Sequence, residues 1–539
     1  MIINDTGGLG KVEVSTVPMP DFVRVMSATY TYSGKVLVFY TTSQDPKVSD
    51  YINIAIANDD GTDFKNIFSG VIKQHKKANG IRHLPFQDNK RVLLGDYVLE
   101  CYPDIDNCKS VKLVPVKYPW LIHLDPRTTK HWSEVIIAPD NEHICWTILR
   151  SDIGAANVMG ILQRKRNKYV IKKPQVISTI EHVKKEKKNK GYIILPQIMR
   201  GGEVKQFVKG GAAISLVGAV DSPLPNSVVQ DLMSGDVIQI TNMPGYEETT
   251  IFSPDERLGI VMSTRGSKKT NCAIFGLLPR PHAMLTTSYI VMLVYMYAVA
   301  GVRSFREGNI GPVLIDIERS MNENGYQGVL LNDPEEKWVY LSPMSWHPGG
   351  KKAMWLEMLR GSDRNEGGRQ VRIRKAELHD YQPEKPVPIV KTPDDIPYSI
   401  KGIRGGLKLW LVPNNANIEG KIPGKHSGYI EYKRRGKWPM QSMIGEVESR
   451  YVNYSDDGKN FYNGFERVKY SIFEESTYEA DIELSGEQKG EMRLRATFSK
   501  IVGDTPPKLL FDQSEDGRPK SFGYAEYNGV RLNIEDMLP

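Results

Sequence analysis

The chain of 539 residues has only four cysteines, Cys101, Cys108, Cys145 and Cys272. No two of them form a C-x-x-C pair, so zinc-ribbon and thioredoxin chemistry have no support. Cys101 and Cys108 could bridge a loop, but a single possible pair does not fix the redox compartment. Also missing are H-E-x-x-H, a P-loop, a G-x-S-x-G nucleophile elbow and an EF-hand loop. The "GGLG" of residues 7–10 does not follow a strand, so a dinucleotide reading fails on context. The opening "MIINDTGGLGKVEV" lacks a basic region and a long apolar run. The expectation is a cytoplasmic protein, or a periplasmic or secreted one if a leader has been removed.

Charge-free stretches are scarce, and one matters. Residues 283–302, "AMLTTSYIVMLVYMYAVAGV", carry no charge and lie between Arg280 and Arg303. Their length suits a bilayer span. Thr, Ser and Tyr interrupt them, however, and they stand alone in a polar chain. A buried helix or buried strands are expected, with no transmembrane anchor; membrane contact is the alternative.

Apolar content of 40% and charged content of 25% suit a globular chain long enough for two or more domains. The formal charge of +7 is modest. Part of it sits in residues 182–190, "HVKKEKKNK", which read as a solvated hairpin loop. No aromatic residue interleaves with these lysines, which argues against nucleic acid.

One phrase repeats. "IFSPDERLGIVMSTRG" (251–266) and "IIAPDNEHICWTILRSD" (136–152) share an apolar strand, Pro-Asp, a polar turn and an alternating strand. "SWHPGGKKAMWLEMLRG" (345–361) follows with Gly349 in place of Asp, and weaker copies begin at Tyr30, Leu84 and Phe207. Proline ends the first strand because it cannot donate to a ladder. Asp, Asn or Gly then tolerates the tight turn. In the second strand Ile144, Trp146 and Ile148 share one face, and Cys145, Thr147 and Leu149 the other. Such sheets are apolar on both faces and must stack on neighbours, as a ring of small sheets allows. The turns recur at roughly 45–70 residues, of the order of one four-stranded blade plus loops. These phrases resemble the TolB-type, WD40-like β-propeller repeat over residues 20–385, with 253–263 and 138–147 matching best. The resemblance implies an all-β fold with six or seven blades over residues 1–385 and an apolar insertion near 283–330.

The remainder reads differently. A Pro- and Asp-rich segment, 386–400 within "QPEKPVPIVKTPDDIPYS", looks like a linker. Long alternating strands follow over 401–539. Tyr478, Ala480, Ile482 and Leu484 share one face of a hairpin, and Met492, Leu494, Ala496 and Phe498 answer them on its return strand. An antiparallel sandwich or a lipocalin-like barrel is expected.

In the propeller repeat, residues before the first strand and after the second meet on one face near the central channel. That register gathers His83, His131 and Glu134 as ligands for a divalent metal such as Mn, Ca or Zn. It adds Tyr246 and Glu247, with His83 and His131, as acid/base candidates. Arg150, Arg265 and Arg360, with Tyr340 and Glu357, would hold a small-molecule substrate. The mix resembles oligogalacturonate-lyase propellers, which implies a lyase abstracting a proton from a polar or carbohydrate-like substrate. Two alternatives stand beside it. One is a non-catalytic binding or scaffold propeller. The other is an isomerase, hydratase or lyase for an apolar small molecule held between propeller and C-terminal domain, lined by 284–297. Each arginine can instead serve as an inter-blade ion pair, and Trp132, Trp146, Trp346 and Trp355 read as blade core. His347 lies in a turn on the opposite face and reads as structural.

Overall fold

In the computed structural model the six copies of the phrase become the first two strands of six blades. The structure describes all residues except 75–82, 120–127, 131–132, 151–153, 182–184, 189–190, 195–197, 201, 219–221, 288, 334–336, 365–367, 402–416 and 437–442. Blade 1 comprises Arg24–Tyr30, Val36–Thr41, Tyr51–Ala57 and Lys65–Val71. Blade 2 comprises Leu84–Pro85, Arg91–Leu93, Tyr97–Tyr102 and Ser110–Lys117. Blade 3 is built from Val135–Ile137, His143–Arg150, Gly154–Arg164 and Tyr169–Val176, and blade 4 from Val204–Val208, Ala213–Gly218, Asn226–Asp231 and Val237–Gln239. Blade 5 is Glu247–Phe252, Leu258–Ser263, Val313–Asp316 and Val329–Leu330. Blade 6 takes Trp338–Trp346, Lys352–Leu359 and Val371–Leu378 and borrows Gly10–Val17 from the chain's beginning as its outer partner. The expected six or seven blades are six.

Alternation does what the sequence implied. Ile144, Trp146 and Ile148 pack on Leu93, Val98 and Val114 of blade 2, whereas Cys145 packs with Ile214 and Leu216 of blade 4. Comparable apolar seams join blades 1 and 2, 4 and 5, 5 and 6, and 6 and 1, so the ring closes. From blade 3 round to blade 1 the first strands of successive blades touch, which places them innermost. Trp146, Trp346 and Trp355 are buried in these seams, and Trp132 lies outside the described residues. His347 sits in its turn, its Nδ1 accepting from the Gly349 N–H at 2.9 Å and its ring edge-on to Tyr30. Within the lysine run, Lys185–Lys188 pairs with Gly191–Ile194 as a hairpin.

The C-terminal part is one sheet rather than a two-sheet sandwich. Eight antiparallel strands follow in chain order, from Asn417–Pro423 to Val530–Asn533. Val447, Tyr451, Val468, Tyr478, Ile482, Leu494 and Phe498 face inward. Charged residues face outward, among them the Arg467–Glu479 pair, the reverse of a barrel turned toward lipid.

The charge-free segment is what this sheet wraps. It belongs to an insertion between the second and third strands of blade 5, residues 264–312; 313–330 return to the blade. Short helices Ala283–Thr287, Ile290–Val294, Tyr295–Ala300 and Gly301–Ser304 carry it. Tyr289, Ile290, Leu293, Val294 and Tyr297 join the inward residues of the sheet in one core. Among the described residues no helix is long and apolar enough to cross a membrane. The stretch expected to line a ligand pocket instead contributes Tyr289, Ile290, Leu293, Val294 and Tyr297 to the core between the propeller and the C-terminal sheet. A fully buried ion pair is among the polar contacts that fix its position. Arg280 and Glu466, both with fully buried side chains, pair at 3.2 Å. Tyr451 and Tyr478 donate to Glu466 at 2.9 and 3.0 Å, and Arg280 also donates to the carbonyls of Leu278 and Phe275.

The linker is likewise bound down. Residues 381–401 cross the turn side of blades 5, 4 and 3 in that order. Tyr381 Oη and the Glu384 N–H donate to Asp255, Val390 N–H to the Gly210 carbonyl, and Thr392 N–H to Asp140. Gly210 has a φ of 64°, and a Cβ there would meet the Pro388 carbonyl. His143, buried, spans two carboxylates: Nδ1 lies 2.6 Å from Asp140 and Nε2 3.2 Å from Asp394 of the strap. Burial pushes the Asp140 acid up, but hydrogen bonds from the His143 ring and from the backbone N–H groups of His143 and Glu142 outweigh it and hold it at about 2.

Two outcomes follow for stability. Glu466→Ala should cost about 3–5 kcal/mol in denaturant unfolding, because it strands a buried guanidinium; the paired change Arg280→Met with Glu466→Leu should cost much less. Asp140 ionises more readily folded than unfolded, where its value is about 3.9. Its contribution is therefore complete above about pH 5 and is lost as pH falls through about 2. Melting temperatures read across that range should fall less steeply in Asp140→Asn than in the parent chain, and equal slopes would remove the Asp140–His143 pairing from the account.

Candidate functional site

The first residues of the inner strands form one rim, and each strand's ladder fixes which side chains arrive there. Glu134 precedes the inner strand of blade 3, Lys205 is the second residue of that of blade 4, and Glu247 and Glu248 open that of blade 5. Lys205, its side chain 4% exposed, lies 3.2 Å from Glu134, 3.1 Å from Glu203 and 3.1 Å from Glu248. An ammonium thus bridges three blades. The Tyr246 hydroxyl donates to Glu248 at 3.3 Å, and the Tyr295 ring of the insertion lies 6.0 Å from that of Tyr246. Lys205, Glu203 and Glu248 were missed by the sequence reading. The register rule that selected Glu134 and Glu247 would have reached Glu203 and Lys205 had it been applied to "GGEVKQF" of blade 4, and Glu248 is the next residue after Glu247.

Tyr246, Glu247 and Arg265 come together within blade 5. Glu247 is fully buried and accepts from Ser263 Oγ at 2.6 Å and from Arg265 Nε at 2.9 Å, with Arg265 Nη2 on the same oxygen. Arg265 Nη1 donates to the carbonyls of Tyr326 and Gln327. Tyr340 and Glu357 are cross-strand neighbours in blade 6. Glu357 accepts from Trp355 Nε1 at 3.1 Å and from Arg372 at 2.7 and 2.6 Å. Arg360 donates to the carbonyls of Val302 and Gly308. His83 is buried with its ring stacked on Phe39 of blade 1, centroids 4.1 Å apart. His131 and the side chain of Arg150 lie outside the described residues. The described candidates fall into separate pairings in blades 2, 5 and 6.

The chemistry of these groups follows from their surroundings. Burial, reinforced by Glu248, pushes the Tyr246 phenol well above its ordinary range, so it stays protonated at neutral pH and is a poor base. Arg265 and Arg360 are committed to protein acceptors, so neither offers a ready fork for a substrate carboxylate. Among the described residues no three His, Cys, Asp or Glu side chains assemble as a metal site, and the partner of Glu134 is Lys205. A cavity of about 190 Å³ lies on the opposite face, between Pro254, Pro348, Pro383 and Glu384, where the strap passes the turns of blades 5 and 6.

No family model matches the chain, and no curated protein matches it. Solved structures are similar at low identity. The β-propeller domain of the Trilobed protease from Pyrococcus furiosus is 9% identical over 68% of this chain and all of that one, with a TM-score of 0.34. TolB from Acinetobacter baumannii is 10% identical over 67% of this chain and 65% of that one, with a TM-score of 0.30. A puromycin-hydrolyzing peptidase of Mycobacterium tuberculosis is 9% identical over 77% of this chain and 58% of that one, at 0.32. The propeller itself rests on the strand order and the six seams.

Removing the bridging ammonium tests the rim's role. Lys205→Met should lower unfolding free energy by about 3–5 kcal/mol, because it leaves three carboxylates facing one another. Adding Glu248→Gln to that variant should restore part of the loss, read in urea titrations.

Proposed function

We propose that this chain is a non-catalytic binding or scaffold protein, a two-domain body that meets its partner with its outer faces rather than through the propeller channel. One observation carries the reading. The insertion of blade 5 packs on Pro223, Tyr246 and Tyr340 of blades 4, 5 and 6 and fills the C-terminal sheet with the same segment. Thr287 Oγ1 donates to the Pro223 carbonyl, Arg303 Nε to the Tyr340 carbonyl, and Arg360 to Val302 of the insertion. A propeller packed along blades 4 to 6 by the protein's own core suits rigidity better than turnover. The engaged arginines and the protonated Tyr246 weaken the case for proton abstraction.

The test compares the two readings directly. The purified chain is incubated with uronate oligosaccharides and followed by the ultraviolet absorbance of the double bond that elimination creates. The expected trace is flat and the same in Glu247→Gln. Turnover in the parent chain that Glu247→Gln or Tyr246→Phe abolishes would overturn the proposal and return the lyase reading.

A further inference from the structure

Two thiols meet at the outer hairpin of blade 2. Cys101 is the penultimate residue of the strand Tyr97–Tyr102, and Cys108 stands two residues before the strand Ser110–Lys117. The ladder pairs Tyr102 with Ser110 and Cys101 with Val111, and the Lys109 N–H closes the loop on the Tyr102 carbonyl at 2.8 Å. The Cys108 thiol folds back over this closure, its Sγ 3.5 Å from the Ser110 carbonyl. Both side chains enter the same apolar seam, between blades 1 and 2, with Ile105, Val92 and Leu99 around them. Both are free thiols, buried in that one seam. Cys145 and Cys272 lie in other seams, so neither competes.

We propose that Cys101 and Cys108 form a dithiol–disulfide pair that locks the outer hairpin of blade 2 in an oxidising compartment and stays reduced in a reducing one. The co-reactant is a low-molecular-weight disulfide such as oxidised glutathione. One protein thiolate attacks it and releases one glutathione thiol. The second protein thiol then displaces the other glutathione from the mixed disulfide, giving the Cys101–Cys108 bond. In total two protein thiols and one disulfide become one protein disulfide and two small thiols. Burial, followed by the neighbouring Cys108, pushes the Cys101 thiol up, so attack on the folded chain is slow and the bond forms most readily during folding.

The experiment uses the full chain in two arms, native and refolded from denaturant, each in oxidised glutathione, followed by intact mass and non-reducing peptide mapping. The expected product has lost the mass of two hydrogen atoms and yields one peptide pair joining Cys101 to Cys108, with Cys145 and Cys272 still free. Formation in the refolding arm alone supports the proposal, since it attributes the native arm's failure to access. Cys108→Ser should instead leave Cys101 as a stable glutathione adduct after refolding. In the oxidised parent the melting temperature should rise by on the order of 2 °C, as closing a short loop in a chain of this size implies. Two outcomes overturn the proposal: refolded parent chain with both cysteines free or separately glutathionylated, or a bond from either of them to Cys145 or Cys272.

Discussion

A four-stranded sheet that is apolar on both faces is unstable until something covers both, and this single demand organises the propeller. Each blade meets it with its two neighbours, and the last interface closes only when the strand Gly10–Val17 completes blade 6 beside Val371–Leu378. The two ends of the propeller region are therefore tied by six consecutive ladder pairs, Val12↔Leu378 to Val17↔Ile373. At about 1.5–3 kcal/mol for each fully buried large aliphatic side chain, a seam such as Leu37, Phe39, Ile54 and Ile56 against Val92 and Leu99 outweighs any single ion pair described above. The ring is held by area, and the polar contacts refine it.

The insertion of blade 5 obeys the same demand in another form. A helical segment that is apolar nearly all round must be enclosed, by lipid or by protein. Here an eight-stranded sheet supplies the enclosure, with Tyr289 stacked on Tyr470 and Tyr297 edge-on to Phe498. Apolar contact is non-directional, so it cannot by itself choose one register of plug against sheet. The Arg280–Glu466 pair can, because its donors and acceptors have fixed directions and each of the two tyrosine hydroxyls has a definite carboxylate oxygen. The segment resembled a membrane span for a sound reason, since the two enclosures ask nearly the same of a sequence.

What was legible in the sequence was whatever local chemistry determines. Pro254-Asp255 and Pro139-Asp140 announce a strand end and a turn without reference to the rest of the chain, and both sit where expected. Strand alternation located the faces of His143–Arg150 and of the hairpin at Ser476–Phe498 for the same reason. The strap was not legible, because proline-rich composition describes how a segment behaves alone. Its anchoring depends on Asp255, Gly210 and His143, which are 126 or more residues away in chain order. The rim was half legible: register placed Glu134, Glu247 and Arg265 there, but neither the Arg265–Glu247 pairing nor Lys205, the cation that meets Glu134.

The recurrent arginines show why register alone misleads about chemistry. At a strand's end the ladder stops, and the carbonyls of the next turn lose their backbone donors while remaining inside the protein. An arginine offers five N–H groups in a rigid fork, more than any other side chain, and so can satisfy several such carbonyls at once. Arg265 does this for Tyr326 and Gln327, and Arg360 for Val302 and Gly308. Arg306 carries it further, reaching the carbonyls of Tyr297, Pro507 and Pro539 from one guanidinium and so joining insertion, sheet and chain end. In blades 5 and 6 the arginine after the second strand thus satisfies backbone ends that the ladder leaves open. A substrate clamp would require a fork turned away from these carbonyls, and in Arg265 and Arg360 the fork is turned toward them.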